Sequence, residues 1–289
     1  MAAALPSRAR RRMRAFAAAA LAATALAGCA AGGSAPGAGA PAPAVQPPPA
    51  GAGFDYQLGG DYPPPEGVGV VARDATAEPA EGVYSICYVN GFQTQPGADW
   101  SGERARLLLS DAEGTPVADP DWPDEFLLDT SSAGTRAAIL EVIGPVVDEC
   151  ARKGFRAVEF DNLDSFARSG GALDAEDNLA LAVAYVERAH AAGLAAGQKN
   201  AAELSARLRG TAGFDFAIAE ECQHWGECAA YAEAYGALVF DIEYTDDPGG
   251  SFAAVCADPA APVAILRDRA LADPRSVGYR YERCAGTSG

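Results

Sequence analysis

Apolar positions fall into eight short runs that each end in polar residues: Tyr56–Leu58, Val68–Ala72, Tyr84–Val89, Ala157–Phe160, Leu194–Gly197, Phe216–Ala219, Leu238–Ile242 and Val263–Leu266. Several are apolar on both faces, as parallel strands covered by helices must be. Longer stretches between the later runs follow the helical period. Residues 135–152 place Ile139, Val142, Ile143, Val146 and Val147 on one face, and residues 175–191 do the same with Leu179, Leu181, Val183 and Val186 before Gly193 ends the helix. Residues 226–235 and 250–257 are shorter helical candidates. Strand–helix alternation implies right-handed βαβ units and a parallel sheet. Eight strands within residues 54–289 predict a single-domain α/β fold, a (β/α)8 TIM barrel. A ninth run, Phe126–Leu128, is assigned to the connection after the third strand. The alternative is an open doubly wound sheet, but no G-x-G-x-x-G follows the first strand.

Polar chemistry gathers at the strand ends. In order they read Arg73-Asp74, Asn90, Asp161-Asn162, Lys199-Asn200, Glu220-Glu221, Glu243 and Arg267-Asp268. Asp and Asn commonly cap helices, but seven such endings in succession around one rim describe a polar, mostly acidic bowl where barrel enzymes carry their chemistry. Alternation along the fourth strand turns Val158 and Phe160 towards the helices and Glu159 and Asp161 towards the barrel axis. The same argument in the seventh strand turns Leu238, Phe240 and Ile242 outward and Asp241 and Glu243 inward. Arg73, Arg267 and Lys199 are the cations expected to partner these acids. Glu159 and Asp241, deeper in the barrel, are read as structural; Asp161 and Glu220, at the rim, as chemical.

The first 53 residues change the picture of where this domain works. Five arginines between Arg8 and Arg14 precede a small apolar run and the string Leu26-Ala27-Gly28-Cys29. A basic start, a short apolar stretch and small residues before Cys29 read as an export signal over residues 1–28. The run is too short to span a bilayer. The string resembles a bacterial lipobox, which would make Cys29 the lipidated first residue; a cleaved signal with a free Cys29 is the alternative. Arg11-Arg12 hints at twin-arginine export. Residues 29–53 are rich in Gly, Ala and Pro and uncharged, and are assigned to a tether. The expected location is the outer face of the cytoplasmic membrane, anchored through Cys29. Six further cysteines fit an oxidising compartment. Cys222 with Cys228 and Cys256 with Cys284 suit pairing; Cys87 and Cys150 suit buried thiols equally well.

The chain carries a formal charge of −17, and residues 54–289 hold 17 cations against 39 acids, a net of −22. That balance argues against nucleic acid as a partner and favours a cationic one. Only His190 and His224 are present, which argues against a histidine-built zinc site. No metal or cofactor is expected, and the domain is expected to be a monomer. Two carboxylates across a bowl, without a histidine partner or nucleophilic serine motif, point to glycoside hydrolysis. A magnesium phosphodiesterase would also use carboxylates, but this charge repels phosphate.

The strings Ile86-Cys87-Tyr88-Val89-Asn90, Val158-Glu159-Phe160-Asp161-Asn162-Leu163-Asp164, Gly197-Gln198-Lys199-Asn200 and Phe214-Asp215-Phe216-Ala217-Ile218-Ala219-Glu220-Glu221-Cys222, followed by Glu227-Cys228, resemble the endo-α-1,4-polygalactosaminidase family, glycoside hydrolase family 114. The resemblance covers roughly residues 54–284 and implies a TIM barrel that cuts α-1,4-linked galactosamine polymers. It implies Asp161 and Glu220 as the catalytic acids, with Asp161 the nucleophile and Glu220 the general acid/base. Relatives often carry Asn before this Glu and Gln after it, where this chain has Ala219 and Glu221. Glu220 is expected to have a raised pKa, through desolvation and the charges of Glu221 and Asp161, with Lys199 opposing. Arg73, Asp74, Asn90, Asn162, Asp164, Lys199, Asn200, Glu221 and Glu243 are the expected substrate-orienting residues. Tyr62, Phe92, Trp100, Tyr244 and Trp225 are the candidate stacking platforms. The competing class is a non-catalytic surface lipoprotein that binds a cationic glycan or small amine in the same bowl.

Overall fold

The computed structural model describes residues 44–246 and 250–284. Eight parallel strands pair in sequence order: β1 (Gly53–Gln57), β2 (Val68–Asp74), β3 (Tyr84–Asn90), β4 (Ala157–Asp161), β5 (Ala195–Lys199), β6 (Phe216–Glu220), β7 (Val239–Tyr244) and β8 (Val263–Arg267). Seven of them match the apolar runs to within two residues, while β1 begins three residues before the Tyr56–Leu58 run and ends one before its close. A short β9 (Tyr281–Arg283), which hydropathy does not mark, pairs antiparallel with β8. β1 and β8 share no ladder; a buried Arg267–Asp55 ion pair at 3.0 Å joins them, and the Tyr281 hydroxyl donates to the Phe54 carbonyl. The structure is thus a nearly closed barrel.

The helices are α1 (Ala133–Lys153), α2 (Ala175–Ala191), α3 (Ser205–Arg207), α4 (Cys222–Trp225), α5 (Cys228–Tyr235) and α6 (Phe252–Ala257). Ser132 and Thr135 form a reciprocal cap on α1, which buries Ile139, Ile143, Val147 and Cys150 at helical spacing. Asp174 caps α2 by accepting from the Glu176 and Asp177 amides. The first two connections carry no helix among the described residues; Pro63–Pro65 occupy the first, where missing N–H groups disfavour one. Phe126–Leu128 lies in the β3–α1 connection and makes only isolated bridges, to Gln93, Leu108 and Ala118.

Inside the barrel, Phe54, Val70, Ile86, Ala157, Ala195, Phe216, Phe240 and Ile265 form an apolar floor. Gly197 lets the Phe216 ring cross that floor, because a Cβ there would lie 2.5 Å from the ring. Strand parity in β4 is as expected, with Val158 and Phe160 in the helix-side core and Glu159 inside. In β7 it is reversed. Phe240, Ile242 and Tyr244 point inward, while Asp241 and Glu243 face α4 and accept from the Cys222 and Gln223 amides. The barrel axis is apolar at that depth, so the acids go where free helix-start amides can bond them. Neither pairs with a lysine or arginine among the described residues, and burial together with Glu243 pushes the Asp241 carboxyl up.

Cys87–Cys150 is a disulfide tying β3 to α1, so these two are not free thiols; Cys222–Cys228 and Cys256–Cys284 are bonded as well. The export signal, Cys29 and residues 29–43 lie outside the described residues. Residues 44–52, assigned to the tether, lie against the domain: Val45 packs on the interior cluster, Pro48 is buried, and the Gln46 carbonyl accepts from the Tyr84 hydroxyl at 2.6 Å.

Candidate active site

Asp161, Lys199 and Glu220 are the last residues of β4, β5 and β6, and each is followed by a non-glycine residue in the left-handed region: Asn162 (φ 63°), Asn200 (φ 50°) and Glu221 (φ 59°). Three adjacent strands therefore break at one level by a costly turn, a type of strain that clusters at functional sites. Asparagine tolerates that conformation best, and Asn200 uses it to grip Glu220 twice. Its Nδ2 donates to Glu220 Oε2 at 2.9 Å and its Oδ1 accepts from the Glu220 amide at 2.8 Å.

Lys199 is the centre of the site. Its side chain is 2% exposed, and its ammonium lies 3.4 Å from Asp161 Oδ2, 3.0 Å from Glu220 Oε2 and 3.9 Å from Glu159 Oε1. The shared ammonium puts Asp161 Oδ2 and Glu220 Oε2 no more than 6.4 Å apart, the sum of 3.4 and 3.0 Å. The rings of Tyr56 and Tyr88 flank the ammonium at 5.3 and 5.8 Å. The Tyr88 hydroxyl donates to Asp161 Oδ2 at 2.8 Å, the Asn162 amide to Asp161 Oδ1 at 2.7 Å, and the Tyr244 hydroxyl to Glu220 Oε1. Both acids are thereby fixed in orientation.

The charges settle unevenly. Burial pushes the Lys199 ammonium down, but Asp161, Glu220 and Glu159 outweigh it and hold the pKa above its ordinary value. Burial alone would raise Glu220; Lys199 above all, then the Tyr244 hydroxyl and Asn200 amide, reverse this and hold the carboxyl below the ordinary range. The raised value expected for Glu220 is therefore corrected: a full ammonium at 3.0 Å outweighs desolvation. The raised carboxyl is Glu159 underneath, which burial pushes up to about 8 against the pull of Lys199.

A cavity of about 350 Å³ opens above these groups, lined among others by Tyr88, Trp122, Glu125, Asp161, Lys199, Glu220 and Tyr244. A second, of about 320 Å³, adjoins it and shares Asp164, Asn200, Glu220 and Arg269. Of the expected residues, Asn162, Asp164, Lys199 and Asn200 line the cleft, and Glu221 lines the second cavity, where Arg269 holds it at 2.8 Å. Asn90 acts one step back, donating to Glu125 at 2.8 Å and accepting from Asn162 at 2.9 Å. Three expectations are corrected. Arg73 points away from the axis and bonds Gln57 and the carbonyls of Tyr62 and Glu78. Asp74 is occupied by the turn to Thr76. Glu243 lies behind β7, as described. Among the candidate platforms Tyr244 and Trp225 border the cleft; Tyr62 and Phe92 are buried and Trp100 lines a different pocket.

The β3–α1 connection supplies what sequence reasoning missed. Asp119, Asp121, Trp122 and Glu125 come from one turn and line the cleft, with Trp122 62% exposed. Arg168 anchors that turn by pairing with Asp119 at 2.7 Å, and it also holds Asp164 at 3.0 Å. Burial raises the Glu125 carboxyl, partly opposed by the Asn90 amide, with Asp161 adding to the rise. The local signal was a tryptophan set among acids and prolines, Asp119-Pro120-Asp121-Trp122-Pro123-Asp124-Glu125.

Two carboxylates held around one lysine at the C-terminal mouth of a parallel barrel define the active-site class of a barrel glycosidase. The chain belongs to glycoside hydrolase family GH114, whose model matches residues 34–289. Among solved structures it is similar to Aspergillus fumigatus Ega3, determined in complex with galactosamine, at 20% identity and a TM-score of 0.64 over 82% of this chain and 97% of that one. It is also similar to the glycoside hydrolase domain of PelA from Pseudomonas aeruginosa, at 17% identity and a TM-score of 0.55 over 76% and 95% of the two chains. These likenesses show the fold. No curated protein sequence matches it.

Proposed function

We propose that the protein is a retaining glycosidase that cuts α-1,4-linked galactosamine polymers bearing free amines. The observation that carries this reading is the single ammonium of Lys199 touching both acids, which brings their facing oxygens, Asp161 Oδ2 and Glu220 Oε2, to within 6.4 Å of each other. Retaining enzymes hold their carboxyl groups about 5–5.5 Å apart, and inverting ones about 6.5–9.5 Å to admit a water. In this mechanism an Asp161 oxygen attacks the anomeric carbon as the glycosidic C–O bond breaks, and the leaving oxygen takes a proton from the Glu220 carboxyl. Water then displaces Asp161, giving its proton back to Glu220. Tyr88 and Tyr244 have pKa values far above the ordinary phenol range and remain neutral donors to the two acids throughout. Lys199 stabilises the Glu220 carboxylate, which suits the second step.

Substrate charge is supported by composition and geometry together. The cleft carries Asp119, Asp121, Glu125, Asp161, Asp164 and Glu220 against Lys199, Arg168 and Arg269, and each of these cations is already paired with acids. A polymer of ammonium sugars would be drawn to it, and galactosamine is the sugar held by the Aspergillus relative. The export signal and Cys29 assign the enzyme to the outer face of the cytoplasmic membrane. The test is release of reducing ends from deacetylated galactosamine polymer. Asp161→Asn and Glu220→Gln should each cut turnover by about 10²–10⁴-fold or more while leaving the circular dichroism spectrum intact. Glu221→Gln should cost far less. An active Glu220→Gln with a dead Glu221→Gln would overturn the assignment.

A further inference from the structure

Among the described residues only three large apolar side chains are exposed, Trp122, Trp225 and Val277, and both tryptophans line the cleft. They lie on different sides of Glu220. Trp122 borders the cavity that contains Asp161 and Lys199; Trp225 borders the adjoining one, which contains neither. Glu220 borders both. Trp225 is 64% exposed although its backbone is tightly held: it sits inside the loop closed by the Cys222–Cys228 disulfide, its ring packs edge-on against His224 at 4.4 Å, and Gly226 turns the chain after it. An aromatic face kept in water by a covalently closed loop is a preorganised binding surface. Tyr231, 1% exposed, lines the same cavity. Glu203 and Glu227 complete the wall.

We propose that this second cavity is the leaving-group subsite, and that it fixes the direction of the sugar chain. The inference rests on the assignment of Asp161 as nucleophile and Glu220 as acid/base. The attacked sugar must sit over Asp161, in the first cavity with Trp122. The glycosidic oxygen must meet Glu220 at the boundary. The sugar that departs with that oxygen then lies in the second cavity, its ring on Trp225, a hydroxyl within reach of Tyr231, and its ammonium facing Glu203 and Glu227. The non-reducing side of the polymer runs towards Trp122 and the reducing side towards Trp225.

In a retaining mechanism the leaving-group subsite is also where an acceptor sugar binds to intercept the glycosyl-enzyme. The whole exported protein is therefore given α-galactosaminyl fluoride as donor and galactosamine as acceptor, and disaccharide and free sugar are counted. The wild type should form disaccharide. In Trp225→Ala and Tyr231→Phe the ratio of transfer to hydrolysis should fall about tenfold, the loss expected for one stacking or one hydrogen-bonding contact. In Trp122→Ala that ratio should stay near the wild-type value while donor turnover falls. No transfer by the wild type, a wild-type ratio in Trp225→Ala, or an equal fall of the ratio in Trp122→Ala would each overturn the proposed polarity. A wild type inert towards the fluoride would instead refute the two-carboxylate reading, and the polarity with it.

Discussion

Replacing Glu159 by glutamine should remove a specific part of the pH dependence of stability. Glu159 is fully buried, accepts from the Tyr56 hydroxyl at 2.9 Å, and has its carboxyl pushed up to about 8. In the unfolded chain a glutamate titrates near about 4.3. Between those values the folded state holds a proton that the unfolded state does not, so stability is greatest below the unfolded pKa and falls as pH rises towards the folded one. The slope is about −1.4 kcal/mol per pH unit, which accumulates to about 4 kcal/mol of lost stability by pH 7. Glutamine cannot titrate. It keeps an acceptor for Tyr56, but its amide meets a spot where Glu159 Oε2 has no partner among the described residues, which offsets part of the gain. A net advantage of about 2 kcal/mol at pH 7 remains, or about 4–8 °C in Tm for a domain of this size. The assay is urea unfolding of the oxidised protein at pH 5, 6, 7 and 8. Asp241 contributes equally to both proteins and cancels in the difference. The curves should converge at pH 5 and separate as pH rises. Parallel curves would show that Glu159 is not held protonated and would refute the charge distribution assigned to the site.

Two other perturbations follow from the same geometry. Glu220 is held below the ordinary carboxylate range, so its protonated form is a minority at neutral pH and kcat/KM should rise as pH falls from 7; Lys199→Met removes the main cause and should move the descending alkaline limb to higher pH, an unmoved limb showing that Lys199 does not govern the acid. Cys29→Ser should release the protein from membranes or block its processing, and unchanged membrane association in that variant would remove the lipid anchor from the account.

The barrel and the acid pair were legible in the sequence because both depend on local patterns. Apolar runs marked β1 to β8, and period-2 alternation set Glu159 and Asp161 on the inner face of β4. The same rule failed in β7, where every residue is buried and alternation alone cannot say which face is the axis. What decided it was a long-range demand, the Cys222 and Gln223 amides at the start of α4. Arg73 misled in a similar way: its position at a strand end suggested the rim, but the neighbouring β1 side chain Gln57 claims it. The Trp122 turn escaped because it reaches the cleft through tertiary contacts, chiefly Arg168 with Asp119. Glu220 shows the remaining gap. Its partners could be named from sequence, but the sign of its pKa shift turned on an ammonium 3.0 Å away.

The central claim is that Asp161 and Glu220 cut an amino-sugar chain by double displacement. It is tested most directly by proton NMR of the wild-type enzyme acting on a deacetylated α-1,4-galactosamine oligosaccharide, read within the first minutes. The account predicts that new reducing ends appear first as the α-anomer and only later mutarotate. Reducing ends that appear first as the β-anomer, or no cleavage at all, would contradict it.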